Sequence, residues 1–195
     1  MNLIEKVKQI LFSPNTFFSD VEKEKGLKQA FIFFIILSAF LAILSSIILF
    51  FWRNAYTLLF PLDLSFIPYK DLAWPLLTGF SISIPLSFVS AGILYIWLKI
   101  FKGKRPYREA YKLYVYSKTP NFILGWIPII NLLSWIYSFV LLIIGTHKMY
   151  KFSGLKATLI YLIPTIIISF IVLIFLLIAV AFLFSAGLDP LQPTF

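Results

Sequence analysis

Lys118-Thr119-Pro120-Asn121 and Asn131 have the strongest claim to chemistry in this chain, because they are polar groups set among apolar ones. An ionisable side chain at membrane depth is costly and marks a functional site by default. Pro120 has no amide proton, and Pro128 adds a second break. Broken helices with exposed backbone groups are how transporters build sites near the bilayer midplane. The blander alternative is that Lys118 snorkels to the inner headgroups on its long stem. No second intramembrane charge stands ready to pair with it, since all eight acidic residues lie outside the long apolar runs or near their ends. A second cluster, Lys102, Lys104, Arg105 and Arg108, is interleaved with Tyr107 and suits anionic lipid headgroups, although the same charges also serve simply to fix topology. Glu109, beside Arg108, is expected to make a local ion pair worth under about 1 kcal/mol.

Enzymatic constellations are missing. His147 is the only histidine, there is no Cys, and no HExxH, GxSxG or P-loop pattern occurs. Catalysis needs convergent titratable groups. No catalytic residue, cofactor or metal ligand is therefore expected, and the chain reads as a non-enzyme.

The elements that must position these residues are membrane helices. Hydrophobic residues make up 61% of the chain and charged ones only 13%. The runs Ala30–Phe51, Ala73–Leu98 and Ala157–Ser185 carry no ionised side chain, and each exceeds the roughly 20 residues that cross a bilayer core. The first is also too long for the apolar core of a cleaved leader. A net charge of +9 then points to anionic lipid and not to nucleic acid. Fifteen of the seventeen Lys and Arg residues fall in segments 1–28, 99–118 and 147–156, against only Arg53 and Lys70 between the first two spans. Cytoplasmic loops carry this excess. The expected placement is an integral cell-membrane protein with these three segments inside, and with the 53–72 loop and the C-terminus outside.

Parity requires the chain to leave the inner face and return between Lys118 and His147, turning near Gly125-Trp126-Ile127-Pro128. From Glu109 to Leu124 the first leg rises only about 24 Å. Two thin crossings and a re-entrant hairpin both satisfy parity, and two crossings are preferred. The fold class is thus all-α, a polytopic membrane helical bundle of five transmembrane helices at about 29–52, 73–98, 109–127, 130–146 and 157–185. Residues 28–185 form the membrane domain, preceded by a cytoplasmic amphipathic segment 1–27 and followed by an external tail 186–195. In segment 1–27, Leu3, Val7, Ile10 and Leu11 recur at helical spacing and predict an interfacial helix. Ser13-Pro14 predicts the cap and first turn of a second helix. That helix buries Phe17, Phe18 and Val21, and Gly26 ends it. Packing of both helices against protein fits the same pattern. Gly79, Ser83, Ser87 and Ala91, spaced by four, form a small-residue face for helix packing or, alternatively, the wall of a path. Pro85 is expected to kink that helix. The tryptophans suit an interfacial belt, as do the aromatic residues of the 53–72 loop.

Several short elements resemble the Yip (Ypt/Rab-interacting protein) membrane family, in its prokaryotic branch. Ser13-Pro14 with Phe17-Phe18 is similar to the family's opening element. Tyr107-Arg108-Glu109-Ala110 followed by Tyr116-Ser117-Lys118-Thr119-Pro120 resembles its central stretch. Trp135, Gly145 and Ser153-Gly154-Leu155-Lys156-Ala157, ending in Pro164, resemble its later pattern. The DLYGP element of the eukaryotic branch is not found. The resemblance implies an integral membrane protein linked, in eukaryotes, to vesicle trafficking and membrane shaping, and implies no settled activity in prokaryotes. The leading expectation is a non-enzymatic scaffold that organises membrane or recruits partners, other membrane proteins or copies of itself. The competing expectation, from the residues alone, is a small-solute transporter or channel using the broken third and fourth helices.

Overall fold

The computed structural model describes residues 2–59 and 73–185. Among them every regular element is helical. In chain order these are α1 (Leu3–Phe12), α2 (Pro14–Asp20), a 3-10 turn (Val21–Lys23), α3 (Lys28–Leu59), α4 (Ala73–Ile100), α5 (Tyr107–Ser117), α6 (Thr119–Leu124), α7 (Pro128–Tyr150) and α8 (Gly154–Ser185). Two compact units divide the chain, Met1–Gly154 and Leu155–Phe195.

Among the described residues four helices are long and apolar enough to cross a membrane: Lys28–Ile48, Leu76–Ile100, Pro128–Tyr150 and Gly154–Phe182. The segment expected as the third span, 109–127, is built differently. It is two short helices, α5 and α6, separated at Lys118. The amide of Lys118 is shared between the carbonyls of Tyr114 and Val115, at 3.3 and 3.2 Å, and Pro120 falls in the first turn of α6. Pro supplies no amide and fits where amides are unpaired anyway, so the break falls where the sequence puts the proline. The α6–α7 turn comes at Gly125, as the sequence predicts. There a Cβ would lie 2.3 Å from the Asn121 carbonyl oxygen, so only glycine fits.

In the first unit α5 lies at the centre, packed on α3, α4 and α7, while α2 packs on α7 and α1 on α2 and α6. Tyr111, Leu113, Val115 and Tyr116 of α5 are fully buried. The hairpin of α6 and α7 meets α3 early. The rings of Phe34 and Phe122 are 5.6 Å apart, and α3 then runs on to Leu59 for about another 37 Å. It therefore passes well beyond residue 53, where the outer loop was expected to begin. The rest of that loop, 60–72, and the tail 186–195 lie outside the described residues.

The second unit is described by α8 alone. It is apolar on all sides, as a membrane helix is, and it continues through Pro164, where the Thr165 hydroxyl donates to the Tyr161 carbonyl at 2.7 Å.

Candidate functional site

Two polar assemblies stand out inside the apolar bundle. The first joins the N-terminal segment to α5. Lys112 is fully buried, and its ammonium donates to the Glu24 carbonyl at 2.6 Å and to the Glu109 carboxylate at 3.1 Å. Lys6, on α1, donates to the Tyr116 hydroxyl at 2.8 Å and pairs with the Glu24 carboxylate. Tyr116 in turn donates to the other Glu24 oxygen at 2.7 Å. Phe17 and Phe33 close the assembly with edge-on contacts to the Tyr116 ring, at 5.1 and 5.3 Å. Outside this core Arg105 pairs with Glu22, and hydrogen bonding from the guanidinium, reinforced by its charge, holds the Glu22 carboxyl below its ordinary range.

This geometry corrects two expectations. Glu109 is not chiefly a partner of Arg108, whose Nε stands 3.5 Å away on an exposed side chain. Its closer contact is with Lys112, one turn along the same helix. In α1 the buried face is Lys6 and Ile10, whereas Ile4 and Phe12 are about three-quarters exposed. The predicted face is kept, with Leu3, Val7 and Leu11 half-buried beside Ile10, and Lys6 is added to it because it finds Glu24 and Tyr116 and so enters the interior paired. Phe17, Phe18 and Val21 are buried as the sequence predicts. Ser13 occupies the cap position of α2 without a capping side-chain bond. Lys6, Glu24, Lys112 and Tyr116 escaped the sequence reading of candidate sites. The one local signal was the Glu109–Lys112 spacing of three on a helix.

The second assembly holds the residues singled out from sequence. Asn121 donates to Asn131 across the hairpin at 3.1 Å, and the buried Ser134 hydroxyl donates to the Asn131 carbonyl at 2.7 Å. Thr119 and Pro120 are buried, and the Thr119 hydroxyl donates to the Tyr116 carbonyl at 2.8 Å. Lys118 points elsewhere, into a groove of about 320 Å³ between α4, α5 and α7. Its ammonium sits 4.4 Å from the centre of the Trp135 ring, and among the described residues no carboxylate pairs with it. Ser138, which lines the same groove, is buried with its hydroxyl oxygen unpartnered. A desolvated cation over an aromatic face gains about 2 kcal/mol, whereas removing an ammonium from water costs several kcal/mol. The ring alone does not offset burial of this charge. Trp135 thus serves as the platform for Lys118, in place of a simple belt residue.

The remaining candidates are dispersed. Lys102 and Lys104 are exposed, as is Arg108, on the connection after α4, where Lys102 takes a left-handed conformation (φ 67°) and the Gly103 amide closes the helix on Leu98. Arg105 is drawn aside by Glu22. Tyr107 turns into the bundle and donates to the Phe88 carbonyl at 2.9 Å. Of the small-residue face, Ser87 and Ala91 are buried, and the Ser87 hydroxyl stands 3.4 Å from that of Tyr111. Gly79 and Ser83 line a separate groove with Ser38 and Ser46 of α3, and a Cβ on Gly79 would meet open space. Among the described residues no group of three or more His, Asp or Glu is placed to hold a metal.

Compared with known families, residues 8–177 match the Yip1 domain. The chain belongs to the Yip1-domain family. No curated protein and no solved structure matches it. The Yip1 match runs from α1 into α8 and so takes in the N-terminal helices together with the membrane bundle. Three of the stretches that carried the resemblance meet within the first unit, at Phe17-Phe18, Tyr116 and Gly145. Phe17 lies on Tyr116 and Phe18 lies on Gly145, where a Cβ would stand 2.4 Å from Leu113 and 2.9 Å from the Phe18 ring. In this Yip1 domain, residue types far apart in sequence meet where α2, α5 and α7 come together.

Proposed function

We propose that this Yip1-domain protein is a non-enzymatic membrane platform that organises membrane or recruits partner proteins. Its N-terminus and the 99–118 segment face the cytoplasm and its C-terminus faces outward. The observation that carries this reading is the fixing of the N-terminal helices on α5 by the Lys6–Glu24–Tyr116 and Lys112–Glu109 contacts. A segment held in this way presents Ile4, Phe12, Lys102 and Lys104 on a surface of set shape instead of trailing them on a free tail. Preorganisation of this kind lowers the entropy cost of binding a partner. The half-buried carboxylate of Glu24 and the buried one of Glu109 are each taken up by an ammonium, which favours a structural role for them over acid–base chemistry.

The test places a photo-crosslinking residue at Phe12 or Lys104 in native membranes, with Leu132 as the lipid-facing control. Discrete protein adducts at the first two positions, lost when Lys6 and Lys112 are both replaced by Met, are expected. Adducts indistinguishable from those at Leu132 would remove the support. The transport alternative draws on the groove beside Lys118. It weighs less, because Asn121 and Asn131 are bonded to each other and the groove wall is mainly apolar. Proteoliposome flux that responds to Lys118→Ala would reverse that preference.

A further inference from the structure

The groove between α4, α5 and α7 combines features that a purely structural cleft does not need. Among the described residues it holds one ammonium, Lys118, with no carboxylate paired to it, and one buried hydroxyl, Ser138, with no hydrogen-bond partner. Buried polar groups are almost always satisfied, and one left over beside an uncompensated ammonium in an open groove has room for an outside acceptor. Around them the wall is apolar and aromatic, with Leu94, Trp97 and Trp135, and its rim residues Ile93 and Trp135 are more than half exposed.

We propose that this groove binds one anionic lipid of the surrounding bilayer. The headgroup oxyanion accepts hydrogen bonds from the Lys118 ammonium and the Ser138 hydroxyl, and the acyl chains lie along Ile93, Leu94 and Trp135. Charge complementarity selects the occupant. A neutral lipid leaves the ammonium uncompensated, and a soluble anion has no use for the apolar wall. The site is distinct from Lys102, Lys104 and Arg108, which are exposed and attract headgroups only as a screened patch. The inference goes beyond the platform reading and does not depend on it.

The test is native mass spectrometry of the full-length protein extracted from vesicles of phosphatidylcholine and phosphatidylglycerol. The expected result is a single retained phosphatidylglycerol, insensitive to 0.5 M salt, on the order of tenfold less occupied in Lys118→Gln and several-fold less in Ser138→Ala. Lys118→Arg keeps the charge and is expected to keep the lipid, which separates binding from folding should Lys118→Gln prove unstable. Lys102→Gln with Lys104→Gln is expected to leave that one lipid in place. Equal retention by wild type and Lys118→Gln, or retention of phosphatidylcholine in equal measure, would overturn the proposal. So would displacement by millimolar inorganic phosphate, which would show that the groove takes a free anion and not a lipid.

Discussion

The ammonium of Lys112 lies 2.6 Å from the main-chain carbonyl oxygen of Glu24, 88 residues away in the chain. That bond fixes the extended stretch before α3 against the central helix. It turns a segment that reads as an amphipathic surface helix into part of the interior.

Removing Lys112 should therefore cost more than removing any exposed lysine. Lys112→Met strands the Glu109 carboxylate and is expected to destabilise the protein by about 3–5 kcal/mol, read by denaturant unfolding in detergent. Adding Glu109→Leu should recover part of that loss, because the pair is then replaced by apolar groups and not broken. With Glu109→Leu measured alone to complete the cycle, a double-variant loss equal to the sum of the two single losses would mean that the two side chains are not energetically coupled.

Gly145→Ala addresses the meeting point of α2, α5 and α7. The added methyl would approach Leu113 to 2.4 Å, and overpacking of this kind costs about 1–3 kcal/mol. The N-terminal helices should loosen first, so protease cleavage between Asp20 and Lys28 is expected to accelerate while the membrane helices stay protected.

Acid should release the same region. Glu22 has its carboxyl held below the ordinary 4.5 by the hydrogen bond and charge of Arg105. A depressed carboxylate contributes stability above its unfolded value and loses it as pH falls through its folded value. Docking of the 3-10 turn is thus expected to be intact at neutral pH and to weaken below about pH 4.5. Glu22→Gln should show the loosened state already at pH 7, with a flatter acid profile by limited proteolysis.

The chain has no Cys, so single cysteines report topology cleanly. Lys104→Cys is expected to react with an impermeant maleimide only after the vesicles are opened. Ile129→Cys, at the start of α7, should react slowly from outside. The reason is that the hairpin meets α3 at Phe34 and Phe122, far from the other end of that helix. Rapid external labelling at residue 129 would place the turn at the outer surface.

Long apolar runs made α3, α4, α7 and α8 legible, because burial in lipid demands continuous apolar sequence and nothing else competes with that signal. The turn at Gly125-Trp126-Ile127-Pro128 was legible for a local reason, the backbone demands of Gly and Pro. The polar core was not. Lys6 and Lys112 look like topology charges in sequence; helix spacing alone sets Glu109 beside Lys112, but only the fold brings Glu24 to both lysines. Lys118 stood out as a lone charge among apolar neighbours, yet its pairing with Trp135 and its separation from Asn121 and Asn131 depend on the direction each side chain takes after the helix break.

The Lys6–Tyr116 contact spans 110 residues, and that separation has a consequence for biogenesis. At a synthesis rate of about 5–20 residues per second, the first helices wait several seconds before their acceptor is made. By then α3 and α4 have already been synthesised, so the protein completes its interior only after these two apolar helices exist.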